Sequence, residues 1–320
     1  MINSNAILEI NKKNLIYNYK YLSHLANKSI CAATIKANAY GLGDKEILKL
    51  LLKEGCTNFF LATTEEALNI RKINKNIRLF ILNGLENNRL NLFVENNLIP
   101  ILNSKEEIEE ILRNKYYLKK SFKFGIHIET GLNRLGIQLK DINTEIFKIS
   151  QIEIVISHLA SSDELRNKYN KYQNKNFIKG CSYFHKIKYK SLCSSSGIFN
   201  NKNLHYDMVR PGISLYGCVD DIKLLKKFKI KPVITLKGKI LQIKEINSNE
   251  FVGYNQTYKT KKKIKVAIIG MGYADGIPRK LSNNGKLYYK NQSFNIIGRI
   301  SMDSITVDKT KSNKKIVLGK

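Results

Sequence analysis

The feature that most constrains the fold is an alternation of short, β-branched apolar runs with helix-length amphipathic stretches through the first two thirds of the chain. Apolar runs of this length indicate buried strands, and the stretches between them have the 3.6-residue period of helices. Residues 44–54 form the clearest helical pattern, and Thr63, followed by Glu65 and Glu66, is typical of a helix start. The predicted strands are residues 30–36, 58–62, 78–82, 98–102, 122–128, 152–157, 189–193 and 208–215.

Eight strands with intervening helices favour a (β/α)8 barrel over a doubly wound sheet. A dinucleotide-binding sheet would carry a glycine-rich turn after its first strand, and the nearest candidate, Gly41-Leu42-Gly43, lacks the third glycine. No phosphate-binding lysine motif of the Walker type is present. The predicted class is therefore α/β, with an N-terminal barrel.

The pattern changes near Lys231, where helix-length segments give way to strands joined by turns rich in Gly, Asn and Lys. This texture predicts a second, all-β domain. We therefore expect a barrel at residues 1–230 and a β-domain at residues 231–320. The strands predicted in the β-domain are residues 233–243, 265–269, 294–297 and 304–307.

Composition narrows the class of protein. Hydrophobic residues make up 43% of the 320 residues, enough for a substantial core. The five cysteines contain no Cys-x-x-Cys pair, which argues against a disulfide scaffold or a zinc ribbon, and we expect no metal. No apolar stretch approaches the ~18 residues of a membrane helix, and the first residues do not resemble a secretory signal. We expect a cytoplasmic protein.

The formal charge of +29 raises the alternative of a nucleic-acid partner. The lysines are spread along the chain, however, and accompany many asparagines and isoleucines, residue types that share A/T-rich codons. We therefore favour genome composition over a polyanion partner as the cause of the charge. Salt-dependent retention on DNA would test the alternative.

Polar side chains at the ends of predicted strands are the first candidates for chemistry, because barrel enzymes place their sites there. Each has a plain structural explanation as well, such as a solvated lysine or a hydrogen-bonded histidine. The candidates are Lys36, Arg134, His158, Ser194, Ser195 and Arg210.

Seven segments resemble, in order, motifs of the alanine racemases, a family that uses pyridoxal 5′-phosphate. The first, ATIKANAYGLG at residues 33–43, resembles the motif of the lysine that binds this cofactor. The others are ETGLNRLG at 129–136, SHLASSD at 157–163, MVRPGISLYG at 208–217, VGY at 252–254, GYADG at 272–276 and GRISMD at 298–303. The family's architecture, a barrel followed by a β-domain, agrees with the pattern of strands and helices above.

The resemblance implies that Lys36 holds the cofactor as a Schiff base and that Tyr254 is the opposing base. Racemisation needs such a pair, since a proton leaves one face of the α-carbon and another returns to the opposite face. By the same resemblance, Arg210 faces the pyridine nitrogen and keeps it unprotonated. His158 matches the histidine between that arginine and the tyrosine.

The remaining site residues also come from the resemblance. Tyr40, Ser195, Gly212 and Ile213 match groups that bind the cofactor phosphate. Arg134 matches an arginine that supports the cofactor's phenolic oxygen and the substrate carboxylate. The residues that match the substrate mouth are Tyr273, Met302 and Asp303. Family members form head-to-tail homodimers with shared sites, so we expect a homodimer.

The chain departs from the family pattern in two places. His127 occupies the position where many members carry a carbamylated lysine that pairs with the arginine, and a neutral imidazole cannot supply that negative charge. Family chains also continue for several tens of residues past the segment that resembles 315–319, so the β-domain is expected to be truncated. A racemase of broader specificity and a catalytically impaired cofactor-binding protein stay open as alternatives.

Overall fold

The computed structural model describes residues 4–86, 89–114, 122–142, 144–164 and 166–310. It divides into two compact units, one of Asn11–Val233 and one that joins Met1–Ile10 to Ile234–Lys320. The first strand, β1 (Ala6–Ile10), pairs antiparallel with residues 234–238 and so belongs to the second unit. The predicted barrel domain of residues 1–230 includes this strand.

In the described residues of the first unit, nine short strands build a curled parallel sheet. Strands β3 to β9 pair in sequence order, and β2 pairs parallel with β10. The Arg210 N–H donates to the Cys193 carbonyl at 2.9 Å, which connects the segment after β9 to the segment after β10. The predicted (β/α)8 barrel is confirmed. The strands are β2 (Ile30–Cys31), β3 (Ala33–Thr34), β4 (Asn58–Leu61), β5 (Arg78–Ile81), β6 (Ile99–Leu102), β7 (Phe124–His127), β8 (Ile152–Ile156), β9 (Tyr189–Ser191) and β10 (Met208–Val209).

Helices connect these strands. The predicted start at Thr63 is confirmed: its side chain accepts the Glu66 N–H, and the Glu66 carboxylate bonds back to the Thr63 N–H, forming a capping box. The helices are α1 (Lys12–Ala26), α2 (Lys36–Gly41), α3 (Asp44–Lys53), α4 (Thr64–Arg71), α5 (Leu90–Glu95), α6 (Lys105–Arg113), α7 (Lys168–Cys181), α8 (Ser195–Asn200) and α9 (Ile222–Lys227).

The inside of the barrel is filled by apolar side chains from several strands. Phe60 and Phe80 stack with ring centroids 4.7 Å apart, and neither is exposed. Gly125 lets β7 approach its neighbours, because a Cβ there would meet Ile101 and Ile154 side-chain atoms at 2.5 and 2.7 Å. These side chains fill the interior of the barrel, and Phe60 also lines the cavity described below.

The predicted strands are generally longer than the observed ones, and three of them are broken or end early. The strand predicted at 233–243 is divided into Ile234–Gly238 and Ile240–Ile246. The strand predicted at 208–215 ends at Val209, because Pro211 fixes its φ angle and Gly212 turns the chain, and Ile213–Tyr216 is a 3-10 helix. The strand predicted at 30–36 is broken between β2 and β3, and Lys36 begins α2 instead of ending a strand.

The strands described in the second unit all pair antiparallel. A three-stranded sheet has the order β12-β15-β18, and three two-stranded ribbons accompany it. Its core contains Ile240, Ile269, Ile296 and Ile305, each 7% exposed or less. The strands are β11 (Ile234–Gly238), β12 (Ile240–Ile246), β13 (Phe251–Val252), β14 (Tyr258–Lys259), β15 (Ile264–Ile269), β16 (Lys286–Tyr289), β17 (Gln292–Asn295) and β18 (Ile305–Asp308).

None of the helices in the described part of the chain is both long enough and apolar enough to cross a membrane.

Candidate active site

A cavity of about 670 Å³ opens at the carboxyl ends of the barrel strands. It is the end of a parallel barrel at which catalytic residues collect. All eight predicted site residues of the barrel unit line it, so the structure brings together segments that are far apart in the sequence. These residues are Lys36, Tyr40, Arg134, His158, Ser195, Arg210, Gly212 and Ile213.

Lys36 enters the cavity from an unusual turn. The four residues from Ala37 to Tyr40 all have left-handed backbone angles, with φ between 52° and 58°, and Gly41 and Gly43 follow with φ of 86° and 94°. Glu66 ties this turn to α4, because its carboxylate accepts the N–H of Ala37 at 2.7 Å and that of Ala62 at 2.8 Å. Glu66, the glutamate of the α4 capping box, thus also fixes the chain beside Lys36.

The amino group of Lys36 lies in a cationic environment. Burial lowers its pKa, and the nearby Arg134 lowers it further, whereas Glu66 acts in the opposite direction. A lysine with a lowered pKa has more of the neutral amine that attacks carbonyl groups. The surroundings therefore favour covalent chemistry at Lys36.

Arg210 is a buried cation whose hydrogen bonds to described residues involve no anionic partner. Its guanidinium donates to Ser191 Oγ at 2.5 Å and to the Ser157 carbonyl at 2.7 Å. The guanidinium carbon also lies 5.6 Å from the ring centre of Phe60. Burial lowers the pKa of Arg210 to about 10, which still leaves it charged at neutral pH. A fixed positive charge of this kind disfavours a second one beside it.

Backbone groups and hydroxyls form a polar cradle beside Arg210. Ser195 Oγ accepts the N–H of Gly212 at 2.9 Å and that of Ser214 at 3.1 Å. A Cβ at Gly212 would collide with the Tyr40 hydroxyl, so the glycine makes room for that group. The Tyr40 ring packs against the Tyr216 ring, with the ring centroids 4.7 Å apart. The cradle is small, rich in N–H and O–H groups, and open to the cavity.

His127 and His158 are neutral despite their polar setting. Burial, followed by the charges of Arg210 and Arg134, lowers the pKa of each to about 3. His127 Nδ1 lies 2.9 Å from Asn103 Oδ1. Because the Asn103 amide nitrogen donates to two carbonyls, Oδ1 is the acceptor and His127 carries its proton on Nδ1. A neutral imidazole therefore stands where a negative charge is common in the family.

Arg134 is exposed and lies within a tight loop. Glu129 accepts the N–H of Gly131 and, at 2.9 Å, the N–H of Asn133. The N–H of Ile137 donates to the His127 carbonyl at 2.8 Å and closes the loop at its base. Both oxygens of the Glu129 carboxylate thus accept hydrogen bonds from the backbone of its own loop.

The other four predicted site residues lie in the second unit. Tyr273 N–H donates to the Ser301 carbonyl at 3.1 Å, so the turn carrying Tyr273 lies against the segment of Met302 and Asp303. Tyr254 follows Gly253, at which a Cβ would meet the Arg299 nitrogen at 3.0 Å. The motifs at 252–254, 272–276 and 298–303 therefore lie next to one another in this unit. Tyr254 is 67% exposed and Met302 58% exposed.

Several residues of this site escape sequence reasoning. Ser191, whose hydroxyl accepts from Arg210, is a small polar residue at a strand end with no motif of its own. Ser157 begins the motif at 157–163, but nothing in that motif indicates that its carbonyl accepts from Arg210. Asn103 orients His127 but resembles any loop asparagine. Glu66 carried a signal, the capping box with Thr63, although the box does not indicate the bond to Ala37.

The fold and the site together define a barrel enzyme with an additional β unit and a lysine-centred, cationic cavity at the carboxyl ends of its strands. Comparison with known families identifies it further. Residues 10–220 match the family described as "Alanine racemase, N-terminal domain" and residues 233–319 match "Alanine racemase, C-terminal domain". The chain belongs to the alanine racemase family.

Named relatives agree with this assignment. Alanine racemase from Rickettsia canadensis is 38% identical over 313 residues, covering 95% of this chain and 84% of the relative, and the protein from Rickettsia akari is 38% identical over 310 residues with the same coverage. A solved structure of alanine racemase from Bartonella henselae, described as having covalently bound pyridoxal phosphate, superposes with a TM-score of 0.90 at 33% identity. That match covers 99% of this chain and 89% of the other.

Proposed function

We propose that this chain is a pyridoxal-phosphate-dependent alanine racemase that interconverts L- and D-alanine and supplies D-alanine for cell-wall precursors. The observation that carries the proposal is the position of Lys36, which opens onto a cationic cavity beside the buried Arg210. Family membership supports the reaction, and the Bartonella henselae relative supports the cofactor.

The residues of the cavity fit the cofactor chemically. Lys36 has a lowered pKa, as a Schiff-base lysine requires. The cradle of Ser195, Gly212 and Ile213, with the Tyr40 hydroxyl, offers N–H and O–H groups to a phosphate. Within the described part of the chain, the hydrogen-bond partners of Arg210 are neutral, which suits a neutral ring nitrogen as its neighbour. When bound, pyridoxal phosphate supplies the electron sink that stabilises the α-carbanion of the amino acid.

Two residues of this chain are proposed to move the α-proton. Lys36 accepts or returns the proton on one face through its amino nitrogen, and Tyr254 does the same on the other face through its phenolic oxygen. The pKa of Lys36 is lowered by burial, and this brings its amine toward the range of an effective base. Direction of turnover then depends only on which of the two groups begins protonated.

Arg210 and His158 are proposed to set the electrostatics between these two groups. The charge of Arg210 disfavours a proton on a neighbouring pyridine nitrogen, so the sink stays weak and side reactions such as transamination are limited. His158, with a pKa lowered to about 3, stays neutral and can accept or donate a hydrogen bond without adding a third positive charge.

Several further residues are proposed to bind the amino acid. Arg134 is proposed to bind the substrate carboxylate, since it is exposed to the cavity and is a fixed cation. Tyr273, Met302 and Asp303 are proposed to form the substrate mouth, with the backbone N–H of Met302 near the carboxylate. We also propose a cytoplasmic homodimer as the active form, with Tyr254 supplied to each site by the other subunit.

A D-alanine formation assay with added cofactor tests the reaction. Wild-type protein is expected to convert L-alanine faster than L-serine or L-lysine. Comparable turnover of all three would replace the proposal with a broader racemase, and cofactor binding without turnover would identify an impaired protein. Borohydride reduction should fix the cofactor to the peptide that contains Lys36, and a label on any other peptide contradicts that assignment.

Subunit mixing tests the role of Tyr254. Lys36→Ala and Tyr254→Phe proteins should each lose about 10²-fold or more in activity. After subunit exchange, random pairing gives heterodimers in which one site holds both intact residues, so activity should return to roughly a quarter of the wild-type value. No recovery after verified exchange would mean that Tyr254 acts within its own chain or is not the second base.

A further inference from the structure

Helix α7 presents a row of polar side chains to the two loops that carry Arg134 and His158. Tyr169, Gln173 and Asn176 follow the i, i+4, i+7 spacing that places them on one face of the helix. The Tyr169 hydroxyl donates to the Gly131 carbonyl at 2.8 Å, and the Asn176 amide donates to the Thr130 carbonyl at 3.4 Å. This face of α7 therefore holds the loop of residues 129–136, which we call the Arg134 loop.

Gln173, in the middle of this row, also reaches the second loop. Its Oε1 accepts the Ala160 N–H at 2.8 Å, and its Nε2 donates to the His158 carbonyl at 3.0 Å. The same Nε2 donates to Thr130 Oγ1 at 3.4 Å. One amide thus bonds both to the Arg134 loop and to residues 158–163, which we call the His158 loop.

The orientation of this amide is fixed by its partners. Reversing it would point an N–H at the Ala160 N–H and an oxygen at the His158 carbonyl, leaving unpaired groups in a place where Gln173 has no exposure at all. The bond to Thr130 continues inward, because Thr130 Oγ1 lies 2.7 Å from Ser157 Oγ. The Ser157 carbonyl in turn accepts from Arg210.

We propose that Gln173 is a positioning residue that fixes the Arg134 loop and the His158 loop relative to each other. The inference rests on the proposed function for its kinetic consequence. Gln173 is not among the described residues that line the cavity, whereas Arg134, His158 and Ala160 are. It acts on the substrate through the loops, and losing its three hydrogen bonds should displace Arg134 and His158 together. Displacements of about 1 Å can cost ~10²-fold in rate.

The test compares Gln173→Met, which retains the side-chain volume, with Asn174→Ala on the same helix. Asn174 is a matched control because its amide oxygen also accepts a hydrogen bond, a partly buried one from the Tyr206 hydroxyl, and neither residue is among the described residues that line the cavity. Per cofactor-loaded site, Gln173→Met should lower kcat and raise KM for alanine, with kcat/KM down about 10-fold or more, and Asn174→Ala should stay within about 2-fold. A lower melting temperature with unchanged kcat and KM would overturn the inference.

Hydrogen exchange provides a readout that needs neither cofactor nor turnover. Amides of residues 158–163 should exchange faster in Gln173→Met than in wild type or Asn174→Ala, since the acceptor of the Ala160 N–H is gone. Thr130→Val removes the hydroxyl that accepts from Gln173 and so tests the same contact from the other side. The double variant should therefore lose less kcat/KM than the product of the two single losses. If the losses in kcat/KM of the two single variants multiply fully in the double variant, or if exchange is unchanged, Gln173 does not fix the two loops relative to each other. If wild type forms no D-alanine, the proposed function is wrong and exchange alone decides whether Gln173 joins the loops.

Discussion

Replacing Ala37 with glycine should stabilise the protein, although this substitution usually destabilises. Ala37 has φ of 52° and ψ of 52°, at the start of the left-handed turn after Lys36. An L-residue with a Cβ pays about 1–2 kcal/mol in this region, and glycine does not. The Ala37 side chain is exposed and its N–H bond to Glu66 belongs to the backbone, so glycine loses little else.

The magnitude follows from two opposing terms. Relief of the left-handed conformation contributes about 1–2 kcal/mol, and the greater freedom of glycine in the unfolded chain removes about 0.5–1 kcal/mol. The expected net gain is about 0.5–1 kcal/mol. In a chain of this size that corresponds to a rise of about 1–3 °C in the unfolding temperature.

Ala62→Gly is the matched control. Ala62 donates its N–H to the same Glu66 carboxylate but is not in the left-handed region, so glycine there should lower the free energy of unfolding by about 0.5–1 kcal/mol. Scanning calorimetry of wild type and both variants, at equal cofactor loading, measures the two shifts. If Ala37→Gly destabilises as much as Ala62→Gly, the left-handed turn beside Lys36 is wrong.

Three further predictions follow from buried charged and titratable groups. Arg210→Glu should raise transamination relative to racemisation, because a carboxylate stabilises a proton on the pyridine nitrogen of the cofactor. Pyruvate release measured together with D-alanine formation gives the ratio of the two reactions. An unchanged ratio would mean that Arg210 does not face that nitrogen. His127 and His158 have pKa values of about 3 when folded and about 6.5 when unfolded, so the unfolded chain binds more protons between these values. Stability should be full above pH 6.5 and fall on acidification by about 1.4 kcal/mol per pH unit per histidine, and His127→Asn should flatten the dependence seen in urea unfolding. Glu153→Gln should lower the free energy of unfolding by about 1–3 kcal/mol, because this carboxylate is 3% exposed and pairs with Arg78, Lys123 and Lys188. These cations lie at the amino ends of the strands, opposite the cavity, so kcat should not change. A change in kcat per loaded site would contradict that separation.

Local signals predicted the parts of the fold that depend on neighbouring residues. Buried parallel strands are continuous apolar runs, and the capping box at Thr63 marks a helix start without tertiary help. Strand β1 escaped prediction because its register depends on β11, where Ala6 lies opposite Gly238. The two-residue strands β13 and β14 are too short to carry a period of two.

The site likewise contains residues that the sequence indicated and residues that only the structure reveals. Motif similarity indicated Lys36 and Arg210, whose contacts lie in the barrel cavity, yet the left-handed turn after Lys36 has no glycine among its first four residues to reveal it. A buried amide is equally hidden. In sequence Gln173 looks like any polar residue of an amphipathic helix, and only packing shows that its amide faces two loops.

His127 explains why the positioning of Arg134 must come from the backbone in this chain. The imidazole is neutral and bonded to Asn103, so it gives Arg134 no counter-charge. Glu129 is occupied by the N–H groups of its own loop, and no described carboxylate forms an ion pair with Arg134. What holds the arginine is therefore the shape of its loop: Glu129 clamps the loop from within, and α7 holds it from outside through Gly131 and Thr130. An arginine held in this way keeps its charge free for the substrate carboxylate that we propose it binds.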